Sequence, residues 1–343
     1  LAAAYPFLNR FCEAIGVSET VGIREIEQAR DRLQGHVERT PLVRSNALSK
    51  LSGTDIFLKL ENRQTTGSFK LRGATNAVLG LPASKRKFGV VTASTGNHGR
   101  ALAHAASLQG LKATICLSSL VPQNKVDAIR RQGADIRIVG KSQDDAMEEV
   151  ARLVRDDKMN AVPPFDDPDV IAGQGTIGLE LLESAPEIEA LLIPLSGGGL
   201  AAGIAAAIKA HKPMARIIGV SMKRGAAMQA SLAAGRPVNV EEVDTLADSL
   251  GGGIGLDNHW TFAMCRDLLD EIVLLEEEEI AEGVRHMAIH ENEIVEGAAA
   301  VGIGALLSPK VEVSAPTAII VSGGNIDPKQ HRMIMSISAE RAN

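Results

Sequence analysis

From about residue 89 onward, short apolar runs alternate with amphipathic stretches, and this rhythm constrains the fold more than any other feature of the chain. The run 89–93 (Gly-Val-Val-Thr-Ala) reads as a buried strand. A helix is expected over 97–109, with Leu102, Ala105, Ala106 and Leu108 on its inner face and Gly110 as its stop. Strand 113–117, helix 124–132 closed by Gly133, and strand 135–139 follow. Ser142 then caps a helix running to about residue 157, with Asp144, Asp145 and Glu148 near its positive end. A second series begins after Pro163-Pro164. It comprises helix 171–182, strand 190–195, an alanine-rich helix 200–211, strand 216–220, helix 226–234, helix 277–289 and strand 317–321. The acidic run Glu276 to Glu279 suits the first turn of a helix. Strands separated by helices call for parallel sheets with right-handed crossovers. The expected architecture is two α/β units with a ligand cleft at the carboxyl ends of their strands.

Bulk properties narrow the function classes. At 343 residues the chain suits roughly two domains. Its 45% hydrophobic and 23% charged content is ordinary for a soluble globular protein. A net charge of -6, no basic stripe and 3% aromatics argue against nucleic-acid binding. Cys12, Cys116 and Cys265 lie far apart without CxxC spacing, so reduced thiols and a cytoplasmic location are expected. No apolar run reaches the roughly 18 residues of a membrane span. The opening Leu-Ala-Ala-Ala-Tyr-Pro lacks the layout of a signal peptide, and the missing initiator Met suggests trimming; residues 1–18 are treated as an arm.

Four segments carry chemistry. In Thr66-Gly-Ser-Phe-Lys70-Leu-Arg-Gly-Ala74 a lysine sits among turn-prone residues beside an aromatic. Such a lysine is ordinarily a solvated loop residue. A desolvated one is the usual Schiff-base partner of pyridoxal phosphate. Ser196-Gly-Gly-Gly-Leu-Ala-Ala-Gly203 directly follows a strand and precedes a helix. Its backbone N–H groups and the helix end suit a phosphate, or simply make a tight turn. It is neither a Walker A loop nor a dinucleotide fingerprint. Ala93-Ser-Thr-Gly-Asn-His-Gly-Arg100 has the same placement and suits a carboxylate, or a plain Ser/Thr cap. Ser322-Gly-Gly-Asn325 follows the last apolar run, where a hydroxyl can meet a heterocycle nitrogen, or the glycines merely turn the chain.

Taken in order, these motifs resemble the fold-type II pyridoxal-phosphate enzymes of the threonine/serine dehydratase and serine racemase family. The resemblance runs from about residue 21 to the end. It takes in Thr40-Pro-Leu, Lys59-Leu-Glu-Asn, the Lys70 segment, Ser-Thr-Gly-Asn-His, Ala172-Gly-Gln-Gly-Thr176, the glycine loop and Ser-Gly-Gly-Asn. The wording of 246–258 and of Ile294-Val-Glu-Gly-Ala298 looks most like the hydroxyectoine utilization dehydratase branch. It implies two parallel-sheet α/β domains, with 19–85 plus 166–343 as the large cofactor-binding domain and 86–165 as the small one. Lys70 would hold the cofactor and later move the Cα proton. Phe69 would flank the ring, Asn97 would bond its hydroxyl, and Ser322 its nitrogen. Ser196, Gly197, Gly198, Gly199 and Leu200 would bind the phosphate. Ser94, Thr95, Asn97 and His98 would line the substrate site, Thr95 also counting as catalytic. Asp248 and Glu296 sit in family-like motifs without an assigned role.

The implied reaction is loss of water from a β-hydroxy amino acid or a hydroxyectoine-derived compound, releasing an enamine that hydrolyses to a keto acid and ammonia. The alternatives are racemization, β-replacement and a non-catalytic solute-binding relative. Thr95 stands where serine racemases carry a second serine, and its methyl restricts χ1. Ser221 and Ala227 stand where those relatives often place carboxylates for a divalent ion, so no metal is expected there. With the chain ending at Asn343, a regulatory domain is not expected. The family suggests a homodimer.

Overall fold

The computed structural model describes residues 20–94, 96–121 and 123–341, leaving aside the side chains of 124–125 and 337–341. The 1–18 arm and Thr95 therefore lie outside the described residues.

The βαβ rhythm produces two sheets. The first has six strands in the order β1 (Leu42–Arg44), β2 (Ile56–Leu60), β10 (Thr317–Val321), β7 (Ala190–Pro194), β8 (Arg216–Met222) and β9 (Glu271–Leu275). The second has four, ordered β5 (Asp135–Ile138), β4 (Ala113–Leu117), β3 (Val90–Ala93) and β6 (Asn160–Ala161). All pairings are parallel except that of β1 with β2. Strands β3, β4, β7 and β10 are buried along their whole length, as expected of parallel strands covered on both faces.

Side-chain alternation assigns each face its own core. Leu191, Ile193, Ala318 and Ile320 pack under the Pro168–Ser184 and Gly199–His211 helices. Leu192, Ile218, Ile319 and Val321 pack under the Glu277–His290 and Gly297–Leu307 helices. In the smaller sheet, Val90, Ile115 and Leu117 face the Lys70–Gly80 and Asn97–Leu108 helices. Val91, Ala93 and Cys116 face the Gln143–Asp157 helix. No helix among the described residues is long and apolar enough to cross a membrane.

Two expectations need correction. Lys70 does not sit in a loop; it opens the Lys70–Gly80 helix, whose residues Leu71 to Val78 are all buried. Leu108 is 60% exposed at the last turn of its helix, because the inner face ends at Ala105 and Ala106.

The Lys70–Gly80 helix is shared between the two units. Leu71, Ala74 and Val78 join the core of the small sheet. On its other side, Gly73 lies against the Pro168–Ser184 helix so closely that a Cβ at Gly173 would stand 2.7 Å from the Gly73 Cα. The motif glycines of 172–176 are thus a helix crossing.

Candidate active site

Three loops, each leaving the carboxyl end of a parallel strand, meet in one cleft of about 710 Å³. The loop after β3 brings Ser94, Gly96, Asn97 and His98, the loop after β7 brings Ser196 to Gly199, and the turn after β10 brings Ser322. Phe69, Lys70 and Leu200 line the same space. Every described residue expected from the sequence at the site is therefore gathered there.

Backbone bonds join the lysine segment to the turn after β10. Phe69 N donates to Ser322 O at 3.0 Å, Gly324 N donates to Gly67 O at 2.9 Å, and Ser68 pairs with Gly323. Lys70 is half-buried, and its ammonium donates to Pro164 O at 2.7 Å. Burial pushes its pKa from 10.5 down to about 8, opposed by nearby Glu296. The Lys70 Nζ lies 5.1 Å from the centre of the Phe69 ring.

The chain after β6 holds two of these groups. Val162 O accepts from His98 Nε2 at 2.8 Å. A carbonyl can only accept, so Nε2 carries the proton and Nδ1 is a bare acceptor, buried without a partner. Burial, helped by the charge of Lys70, lowers the His98 pKa to about 3, so the imidazole is neutral. Two residues further on, Phe165 seats the glycine loop. A Cβ at Gly197 would fall 2.3 Å from the Phe165 ring, and one at Gly199 2.9 Å from the Phe165 carbonyl oxygen. Gly198 has φ of +91°, the left-handed region that suits glycine. Asp166 accepts from the N–H groups of His259, Trp260 and Thr261, tying this segment to the start of the Thr261–Leu268 helix.

Glu296 and Asn325 were not assigned roles by sequence reasoning. Glu296 is 4% exposed and accepts from Asn97 Nδ2 at 2.8 Å. Burial raises its pKa to about 7, with Asp248 adding in the same direction. The Asn325 amide donates to Asn97 Oδ1 at 2.7 Å. Glu242, Asp244 and Asp248 line the outer part of the cleft.

The cleft fits pyridoxal phosphate. A glycine turn leading into a helix supplies N–H groups for a phosphate, a half-buried lysine of lowered pKa supplies the amine, and Ser322, 3% exposed, supplies a neutral hydroxyl.

A family model described as pyridoxal-phosphate dependent enzyme matches residues 33–323. The chain belongs to that family. It is 58% identical over 317 residues to a Sinorhizobium fredii protein bearing the provisional name threonine dehydratase, covering 92% of this chain and 96% of that one. An L-threonine ammonia-lyase of Thermotoga maritima is 40% identical over 307 residues, 90% of this chain and 76% of its own length. Among solved structures, maize serine racemase superposes with a TM-score of 0.87 at 33% identity, covering 94% of this chain and 99% of that one. Two parallel-sheet α/β units with the cleft between them are the fold of these fold-type II enzymes. Ser221 and Ala227, the positions considered for a metal, are both buried.

Proposed function

We propose that this protein is a pyridoxal-phosphate-dependent dehydratase that removes water from a β-hydroxy amino acid, releasing a keto acid and ammonia. The observation that carries this reading is the convergence of half-buried Lys70, the glycine loop and Ser322 on one cleft. Relatives named for threonine dehydration or threonine ammonia loss support it.

When bound, the cofactor supplies an electron sink that makes the substrate Cα–H acidic. Lys70 would hold it, and as a desolvated amine would then take the Cα proton. Ser196 and the N–H groups of Gly197 to Leu200 would bind its phosphate. Phe69 would flank its ring, Asn97 would donate to the ring hydroxyl, and Ser322 would face the ring nitrogen. Ser94 and the backbone N–H groups at the start of the Asn97–Leu108 helix would receive the substrate carboxylate, a role proposed for Thr95 as well. His98 would line the substrate site as a neutral imidazole, its Nε2 proton held by the Val162 carbonyl.

For the substrate, we favour a β-hydroxy amino acid of the hydroxyectoine-derived type. The wording of 246–258 and 294–298 supports this, as does an outer cleft lined by Glu242, Asp244 and Asp248, which suits donor groups beyond those of threonine. The enzyme would work as a homodimer of two domains, 19–85 plus 166–343 and 86–165. Racemization is the second reading, favoured by the likeness to maize serine racemase.

Keto acid and ammonia release, with chiral analysis of remaining substrate, should be measured on L-threonine, L-serine, 3-hydroxyaspartate, hydroxyectoine and its ring-opened products. The dehydratase reading expects ammonia and keto acid in equal amounts, abolished in Lys70→Ala. An optical inversion without ammonia would replace it with racemization, and cofactor binding without turnover of any compound would leave a binding protein.

A further inference from the structure

Asn97 lies at the centre of a chain of side-chain hydrogen bonds that has a fixed direction. Arg100 Nη1 donates to Asn325 Oδ1 at 2.8 Å. Asn325 Nδ2 donates to Asn97 Oδ1 at 2.7 Å, and also to the Thr66 backbone carbonyl at 3.0 Å. Asn97 Nδ2 donates in turn to Glu296 Oε1 at 2.8 Å. The chain thus runs from a guanidinium to a carboxylate through two amides.

Neither amide can turn over without loss. Turning Asn325 would aim its oxygen at the Thr66 and Asn97 oxygens and its NH₂ at the Arg100 cation. Turning Asn97 would aim its oxygen at the Glu296 carboxylate. In the observed arrangement one N–H of Asn97 is used by Glu296, and the other is left for the cleft that Asn97 lines. Room for Asn325 is secured by the lysine segment itself. A Cβ at Gly67 would fall 2.7 Å from Asn325 Oδ1, and Gly67 has φ of +77°. The amide is therefore seated against the glycine of the segment that carries Lys70.

We propose that Asn325 is a positioning residue that holds the Asn97 amide with its free N–H toward the cofactor ring, with Arg100 anchoring the far end. This rests on Asn97 being the ring contact, as proposed above. Asn325 is not among the residues that line the cleft with Lys70 and Asn97, so it would act through Asn97. Two loops that leave different sheets, after β3 and after β10, are thereby set relative to each other at the ring.

The test uses full-length protein stripped of cofactor and titrated with pyridoxal phosphate, reading affinity and the position of the visible absorption band. Asn325→Asp keeps the acceptor for Arg100 and replaces the donor by an oxygen, so it is expected to weaken capture by about tenfold or more and to shift the band. Arg100→Met is expected to weaken capture by about threefold or more, while Arg100→Lys, which keeps a cationic donor, recovers much of the loss. Asn97→Ala is the reference and should move both readouts. Should Asn97→Ala move them while Asn325→Asp and Arg100→Met leave both as in the parent, the positioning role is overturned and the ring contact stands. An unaltered band and affinity in Asn97→Ala would overturn the ring contact and this proposal with it. Should Asn325→Asp fail to fold, Arg100→Met decides alone: an unchanged band and affinity there overturn the proposal.

Discussion

Lys70 illustrates how burial sets reactivity at a single residue. Only an unprotonated amine attacks an aldehyde, and desolvation brings the Lys70 pKa to about 8, whereas a solvated lysine stays near 10.5. The rate at which stripped protein captures pyridoxal phosphate should therefore climb with pH up to about 8 and level off above it. Rapid-mixing absorbance measures this directly, and a rate still climbing as pH 10 is approached would show that the lysine is not desolvated. Glu296 acts in the opposite sense, since its charge favours the ammonium. Glu296→Gln removes that charge, so the same profile should move to lower pH. The carboxylate itself, with a pKa raised to about 7, gains its charge near neutrality, so its influence on Lys70 is greatest on the alkaline side of that value.

At the scale of elements, the glycine loop and Phe165 form one device. The loop was legible from sequence because its signal is local: an apolar strand, then Ser196 and three glycines, then an alanine-rich helix. Its seat was not legible, because Phe165 belongs to a different segment and nothing nearby in sequence marks it as a partner. Gly197→Ala puts a methyl into the Phe165 ring, and Gly198→Ala forces a side chain into the left-handed region, costing roughly 1–2 kcal/mol. Both should lower cofactor affinity and thermal stability. Shrinking the aromatic, as in Phe165→Leu, should restore part of the loss in Gly197→Ala and none in Gly198→Ala, since only the first defect is a collision with the ring. Calorimetry with cofactor titration on the single and double variants separates the two. Two helices went unread for different reasons. The Gly297–Leu307 helix is buried all round except at its last residue, so it shows no amphipathic stripe, and the Lys70–Gly80 helix hides behind turn-like residues at its start.

At the scale of the whole molecule, motif residues that look chemical turn out to build the frame. Thr40, Lys59, Glu61 and Arg72 belong to the motifs that carry the family resemblance, yet none lines the cleft. They form a buried network with Glu180 of the Pro168–Ser184 helix. Arg72 donates from Nε and Nη2 to the two Glu61 oxygens at 2.9 Å each, and from Nη1 to Glu180 at 2.7 Å. Lys59 pairs with Glu180 and donates to the Thr40 carbonyl at 2.7 Å, while the Thr40 hydroxyl donates to Glu61. Two cations and two carboxylates balance, with Arg72 1% exposed and Glu61 fully buried. The network binds β2 and the residues after it to the helix that starts with Lys70 and to the helix it crosses at Gly73 and Gly173. Arg72→Met would leave Glu61 and Glu180 facing only Lys59. Breaking a buried charge cluster in this way costs about 3–5 kcal/mol, so a large fall in Tm is expected. Arg72→Lys keeps the charge and loses the two-pronged geometry, so its fall should be intermediate. The discriminating arm is Arg72→Met combined with Glu61→Gln, which removes a buried negative charge along with the positive one. If charge balance is what the network supplies, the double variant should melt above Arg72→Met; a double variant melting lower would mean that the hydrogen-bond geometry around Glu61 matters more than its charge. In either case cofactor affinity should fall along with Tm, because Lys70 sits two residues before the anchored arginine on the same helical turn.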